Sequence, residues 1–547
     1  MSATSRGRAR LRAVALVAVT SLALVACAET GDQTGPVSTS PGTTDSAEPV
    51  QGGTLRFTLD RDPVCLDPHQ SALTASLAVT RGVVDSLTDQ DPETGEITPW
   101  LAESWEISED LTTFTFTLRE GLLLQDGSTL DAQVVADNFQ HILDLGALSS
   151  FGAGYVRGLT DIEVLDDLVV ELAFDAPNAQ FLQATSTPTL GILAASSLEL
   201  EPGELCTGEG LVGSGPFTVV DYQPDNSVRV EAWEDYDQAS ALRGHTGRAY
   251  LDAIDYSIAS ESSVRTGLLT SGQSDAVFTV APQDEQALVD AGFQIISHVN
   301  EGFPYHLYAN TENPILAETA VRQAIQIGFD RQEITDSVLT PTHGVVSGAL
   351  SDTNPFYIDQ SDALAYDPDR ARELLDDAGW VPGDDGIRVK DGTRLSLRVF
   401  FYQGHQDVLQ LVQARLVEIG IELELREVDS VTGSELQAAG DYDLFQTSGT
   451  RADADLLRAR FLPSGANYLH LPPDHELEEL LTAQAAEGDW DARFELVRQA
   501  QEILINDGYE IPLYLYVIVV GAAENVHGLG FDSAPRTPFY DAWVEVA

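Results

Sequence analysis

The side chains able to do chemistry are many, but few of them are grouped. Ten histidines stand at 69, 141, 245, 298, 306, 343, 405, 470, 475 and 527. Only His470 and His475 are close together, and Pro472 and Pro473 between them argue against a shared helical face for a metal. Asp453 and Asp455 form a carboxylate pair of the kind used in acid–base catalysis, yet a chain with 87 Asp and Glu residues makes many such pairs by chance. Gly213-Ser214-Gly215 is followed by Pro216 and lacks the spacing of a nucleophile elbow. Gly208, Gly210, Gly213 and Gly215 do not make a dinucleotide fingerprint, and neither a phosphate-binding loop nor a His-Glu-x-x-His motif occurs. No catalytic residue and no cofactor is implied, and the chain reads as a binder rather than an enzyme. A secreted hydrolase would need a nucleophile–base pair or a metal set that the sequence does not offer.

Charge narrows the partners. The 547 residues hold 87 acids against 29 bases, a formal charge of −58. Phosphate contacts need clustered Arg and Lys, so nucleic acid is excluded as a general partner. The N-terminus sets the compartment. Arg6, Arg8, Arg10 and Arg12 precede an apolar run over 13–26, which is too short to cross a bilayer at about 20 residues per span. The pattern is a signal peptide, residues 1–26. It ends in Leu24-Val25-Ala26-Cys27, which resembles the lipobox of bacterial lipoproteins and implies a lipidated Cys27 as the mature N-terminus. Loss of residues 1–26, with four Arg and no acid, takes the formal charge from −58 to −62. Residues 27–50, rich in Thr, Ser, Gly and Pro, read as a lipid-anchored flexible tether. Cys65 and Cys206 remain, an even pair that outside the cytoplasm is expected to form a disulfide rather than two free thiols.

Helices and strands interleave along the rest of the chain, which argues for α/β layers. Residues 54–59 and 113–118 alternate apolar and polar side chains and read as strands. Residues 131–143 place Val134, Val135, Phe139, Ile142 and Leu143 on one helical face behind Asp131 as N-cap. Asp367, Pro368 and Gly379 bracket a helix over 367–380. A helical stretch over 407–419 leads through Gly420 to a strand at 421–425.

From residue 51 onward the chain resembles the peptide/nickel-binding family of bacterial ABC-transporter solute-binding proteins. The resemblance is carried by ordered blocks: Gly52-Gly53-Thr54-Leu55 with Leu66-Asp67-Pro68-His69, Asp85-Ser86-Leu87, and Pro99-Trp100-Leu101-Ala102-Glu103-Ser104-Trp105. Leu118-Arg119-Glu120-Gly121, Gly213-Ser214-Gly215-Pro216-Phe217, Val321-Arg322-Gln323-Ala324-Ile325 and Ala378-Gly379-Trp380 continue it. The resemblance implies a type II periplasmic-binding-protein-like clamshell: two α/β lobes, an extra subdomain in the first, and two hinge crossings. Lobe I would comprise 51–303 plus 513–547, and lobe II 304–512. The aromatic segments Tyr305–Ala309 and Ile511–Tyr516 suit the crossings. The implied function is capture of a small solute, a peptide by default, and its delivery to ABC-transporter permease subunits by a monomer anchored to the outer face of the membrane. A sugar oligomer, a metal complex or a ligand-sensing role are the alternatives.

The same resemblance places ligand contacts in three regions. The loop after the first strand, about 64–76, offers His69 and Ser71; the loop after 395–402 offers Tyr402 and Gln403, followed by Gly404 and His405. The segment from Gln446 past Asp455 offers Ser448 and Arg451, the latter able to clamp a carboxylate with two parallel hydrogen bonds. The loop Phe461–Tyr468 adds Ser464 and Asn467. Departures from the family concern the ligand. Peptide binders carry a Trp near the Ser448 position and an acid in the 461–468 loop for the ammonium group; this chain has neither. Nickel binders carry a His near Gly465 and an Arg within 181–197, also missing here. The expectation is a small peptide held through backbone hydrogen bonds, with no protein-bound metal.

Overall fold

A computed structural model describes residues 48–545, apart from Ala72, Ser150, Pro473, Ala534 and Pro535. The expected signal peptide, Cys27 and nearly all of the expected tether lie outside the described residues.

Two mixed sheets organise the chain into two lobes. The larger has seven strands in the order Gln294–Val299, Val517–Ala522, Ala276–Phe278, Thr54–Leu59, Ala253–Ile258, Ser227–Ala232 and Phe217–Gln223. Thr54–Leu59 runs parallel to both of its neighbours. Alternation over 54–59 suggests one solvated face, and Arg56 on that face is exposed, but its neighbour Thr58 meets residues of both adjacent strand regions. Thr58 is fully buried, its hydroxyl meeting those of Ser257 and Ser274, each at 2.9 Å. Leu55, Phe57, Leu251, Tyr256 and Phe539 share the core of this lobe.

The second sheet has five strands in the order Glu422–Glu427, Ser396–Phe401, Leu444–Gly449, Phe303–Ala309 and Glu510–Tyr514. The expected helix–strand unit is present: Gln406–Glu418 crosses to Glu422–Glu427, which pairs parallel with Ser396–Phe401. Leu307, Leu397, Val399, Leu416 and Trp380 build its core. The chain passes from the large sheet to the small one between Val299 and Phe303, and returns between Tyr514 and Val517.

A third, antiparallel sheet of four strands, with Thr113–Leu118 at its centre, has a core of its own. Thr113–Leu118 buries every second residue, as its alternation requires. Phe181 packs edge-on against Phe114 and Phe174 at 4.9 and 4.7 Å between ring centres. Helix Ala132–Leu145 covers this sheet, and its Asp131 cap accepts from the Val134 amide at 3.0 Å. Asp367 does the same for Pro368–Asp377, accepting from Arg370 N at 2.8 Å. Cys65 and Cys206 are joined by a disulfide, tying the loop after the first strand to the segment following Pro202–Leu205.

Candidate functional site

Parallel strands leave their carboxyl ends free to build a crevice, and both sheets use theirs for one cavity. Asp60 and Arg61 follow strand Thr54–Leu59, and Thr279 follows Ala276–Phe278. Tyr402, Gln403, Gly404 and His405 follow Ser396–Phe401. These residues, with Leu73, Thr74, Tyr305, His343, Tyr514 and the return crossing Leu515–Ile518, line a cavity of about 390 Å³ between the sheets.

The second-lobe wall is aromatic and rigid. Tyr305 and Tyr514 stack at 4.7 Å between ring centres, with Tyr516 edge-on to Tyr305 at 5.4 Å. The His405 amide donates to the Tyr514 hydroxyl at 2.8 Å, and Gln403 Nε2 donates to Thr447 Oγ1 at 2.6 Å. Gly404 has φ +87°, and a Cβ there would stand 2.5 Å from Tyr514 Oη and 2.9 Å from Tyr305 Cε1, so only glycine lets the turn close on the tyrosines. Burial, with a smaller push from His405, lowers His343 to about 4. Burial likewise lowers His405. Both imidazoles therefore face the cavity neutral at neutral pH. The tyrosine hydroxyls of 305 and 514 are pushed up, chiefly by burial, and remain protonated.

The first-lobe wall carries strain. Thr279 has φ +58°, a left-handed conformation unusual for a β-branched residue. The buried Arg265 holds it: Nη2 donates to Thr279 O at 2.8 Å while Nη1 donates to Ala259 O and Ser260 O, both at 2.8 Å.

Further contacts join the lobes around the cavity. Glu285 Oε2 accepts from Thr340 Oγ1 at 3.0 Å and Thr342 Oγ1 at 2.7 Å. On another side, the Ala179 amide donates to Ala485 O at 3.0 Å and Arg157 Nη1 to Ser464 O at 2.6 Å.

Of the residues singled out from the sequence, Tyr402 and Gln403 line the cavity. Six do not. His69 is fully buried, with Nε2 against Gly191 O at 2.8 Å. Ser71 is also buried and donates to Asp67 O at 2.7 Å, so both side chains hold their loop rather than face a solute. Ser448 lies behind the wall, its carbonyl accepting from Arg460 Nη2 at 2.6 Å. Arg451 is no free clamp. Its guanidinium lies 4.5 Å over the Tyr155 ring and donates to Gln180 Oε1 at 3.1 Å, a lobe-to-lobe contact. With Ser464 it borders a separate groove of about 40 Å³ that also holds Arg157 and Arg458. Asn467, at φ +51°, belongs to its own turn, away from the cavity. Thr74 falls within the expected loop of about 64–76, whereas Asp60, Arg61, Thr279 and His343 lie outside the regions read from the sequence. The signal available for Asp60 and Arg61 was their place just after the first strand, at the edge of the loop already suspected.

Among the described residues no helix is long and apolar enough to cross a membrane, and no cluster of His, Cys, Asp or Glu is arranged to hold a metal.

Known proteins agree with this architecture. The family model for bacterial extracellular solute-binding proteins, family 5 Middle, matches residues 96–463. The chain is 24% identical over 518 residues to a dipeptide-binding protein of Bacillus subtilis, covering 89% of this chain and 91% of that one. It is 27% identical over 503 residues to a probable di/tripeptide-binding protein of Pseudomonas aeruginosa, covering 85% and 91%. The fold matches that of NikA from Brucella suis in complex with Fe(III)-EDTA, with TM-score 0.78, 23% identity and coverage of 90% and 100%. It also matches the oligopeptide-binding protein AppA of Bacillus subtilis in complex with a nonapeptide, with TM-score 0.75, 21% identity and coverage of 91% and 100%.

Proposed function

This chain belongs to family 5 of the bacterial extracellular solute-binding proteins, and from that premise we propose that it captures a short peptide between its lobes and delivers it to the permease of an ABC transporter. The observation that carries the reading is the cavity of about 390 Å³ walled by the carboxyl ends of strands from both sheets. Its size lies near the lower end of the ~300–1000 Å³ found for pockets that take drug-sized ligands. That suits the di- and tripeptide names of the relatives better than a nonapeptide.

The work is binding, with no bond made or broken. The two crossings at 299–303 and 514–517 act as the hinge, so the expected lobe I of 51–303 and 513–547 gives up Phe303, Leu513 and Tyr514, which belong to strands of the small sheet, to the lobe II expected over 304–512. A ligand touching both walls favours the closed arrangement by its differential affinity for it. Residues 1–26 direct export, and lipidated Cys27 holds the monomer at the outer face of the cell membrane through the 27–50 tether.

Native mass spectrometry of the protein purified from its own cells, before and after unfolding and refolding, tests this. Release of a mass, or a ladder of masses, fitting peptides of two or three residues is the expected outcome. Release of a single non-peptide solute overturns the peptide assignment and keeps solute capture. Absence of any bound mass, together with no change in scattering across a solute library, overturns capture itself.

A further inference from the structure

The chemistry of the cavity wall narrows the class of peptide, an argument that rests on the solute-capture reading above. Among the residues lining the cavity, Asp60 and Arg61 are the carboxylate and the guanidinium, while the buried His343 and the half-buried His405 are held neutral by desolvation. The two stand next to each other at the carboxyl end of the central strand. Asp60 is nearly buried, its side chain 14% exposed, whereas Arg61 is open at 60%. They meet loosely, Arg61 Nη2 at 3.3 Å and Nε at 3.4 Å from the same oxygen, Asp60 Oδ2. A pair of this kind, with one partner open to solvent, contributes little to folding, so little is lost when a ligand separates it. The buried Arg265 beside them is committed to carbonyl groups, including that of the strained Thr279. Strain held in place by surrounding bonds is characteristic of ligand-contacting positions. Opposite stand Tyr305, Tyr402 and Tyr514, which offer ring faces and neutral hydroxyls.

We propose that Asp60 and Arg61 read the charges of the solute: Asp60 takes an ammonium group, Arg61 a carboxylate, and the substrate class is a compact zwitterion, a free dipeptide or amino acid. The geometry sets the compactness. The two side chains are in contact, so the charges they read are a few ångströms apart. A long peptide separates its termini too far to engage both and outgrows the cavity. The arrangement also answers for the missing acid in the 461–468 loop, because the ammonium partner sits on the other lobe.

The test is a thermal-shift screen of the full chain with free amino acids and free dipeptides, followed by calorimetry on the best binder and on its N-acetyl and C-amide forms. Blocking either end is expected to weaken binding at least tenfold. Asp60→Asn should bind the free and N-acetyl forms alike while still rejecting the C-amide, and Arg61→Gln should show the reverse. Blocked and free forms binding within twofold of each other on the unaltered protein overturns the proposal without any variant. So does discrimination that survives in both Asp60→Asn and Arg61→Gln. If no free dipeptide or amino acid binds, the proposal falls. The native mass measurement then decides separately whether capture of another solute stands.

Discussion

Glu285 offers the sharpest test of closure. It lies on helix Pro282–Asp290, which packs on the edge strand Gln294–Val299 of the large sheet. Thr340 and Thr342 follow helix Arg331–Ser337, which packs on Glu510–Tyr514 of the small sheet. The two hydroxyls donate to one carboxylate oxygen, so Glu285→Ala removes two hydrogen bonds between lobes and nothing within either sheet. A bond to a charged group contributes about 1.5–3 kcal/mol net. Burial offsets part of this, and its upward push on the Glu285 carboxyl records that cost. The closed form is left with a net advantage of about 1–3 kcal/mol, which corresponds to roughly 5–150-fold in apparent Kd when the closed form is the minor one without ligand. Calorimetry with the best-binding dipeptide measures the affinity, and small-angle scattering with and without it measures closure. Glu285→Gln, which keeps an acceptor oxygen, should lose less than Glu285→Ala. Adding Thr342→Val to Glu285→Ala should cost nothing further, because both changes delete the same bond, whereas Thr340 is kept because its hydroxyl also meets His343 Nδ1 at 3.1 Å. An affinity for Glu285→Ala within twofold of the unaltered protein, with unchanged scattering, would refute the latch.

Three other changes probe the framework. Arg493 grips Asp453 with two bonds of 2.8 and 2.6 Å in the interior of lobe II. Arg493→Met strands that buried carboxylate and should cost about 3–5 kcal/mol in denaturant unfolding; Asp453→Asn in the same chain should recover a large part, and strictly additive losses would contradict the pairing. His343 binds a proton only near pH 4 when folded but at its ordinary value of 6.5 when unfolded. The unfolded chain therefore holds more protons between those values, and stability falls as pH drops from 6.5 to 4, by up to about 3 kcal/mol from this group. His343→Gln should flatten that part of the stability–pH curve, and an unchanged slope would show that His343 titrates normally. Cys65→Ala with Cys206→Ala opens a link across a sequence separation of 141 and should lower stability by about 2–5 kcal/mol; equal midpoints for the two proteins under non-reducing conditions would speak against the bond.

The parts of the fold legible in the sequence are those set by neighbours along the chain. Alternation over 113–118 reproduces the buried face of that strand, because side-chain direction in a strand has period two. Asp131 and Asp367 cap the helices they precede, because capping is settled within three residues. The site was partly legible. Tyr402 and Gln403 follow a recognisable strand, and the aromatic character of both crossings was visible before their rings could be placed. His69, Ser71 and Arg451 show where such reading ends. Residue type and loop position are the same for a side chain facing solvent as for one already paired. His69 is turned inward by Gly191, 122 positions away, and Arg451 is taken up by Gln180, 271 positions away. The chain by itself determined its acidic composition, its α/β layering and its family, since composition, local periodicity and ordered motifs all belong to the linear text. Only the tertiary structure decided which charges reach the cavity. Asp60, Thr279, Tyr402 and Tyr514 meet there through strand pairing across hundreds of residues, and the burial that neutralises His343 exists only once both lobes have packed around it.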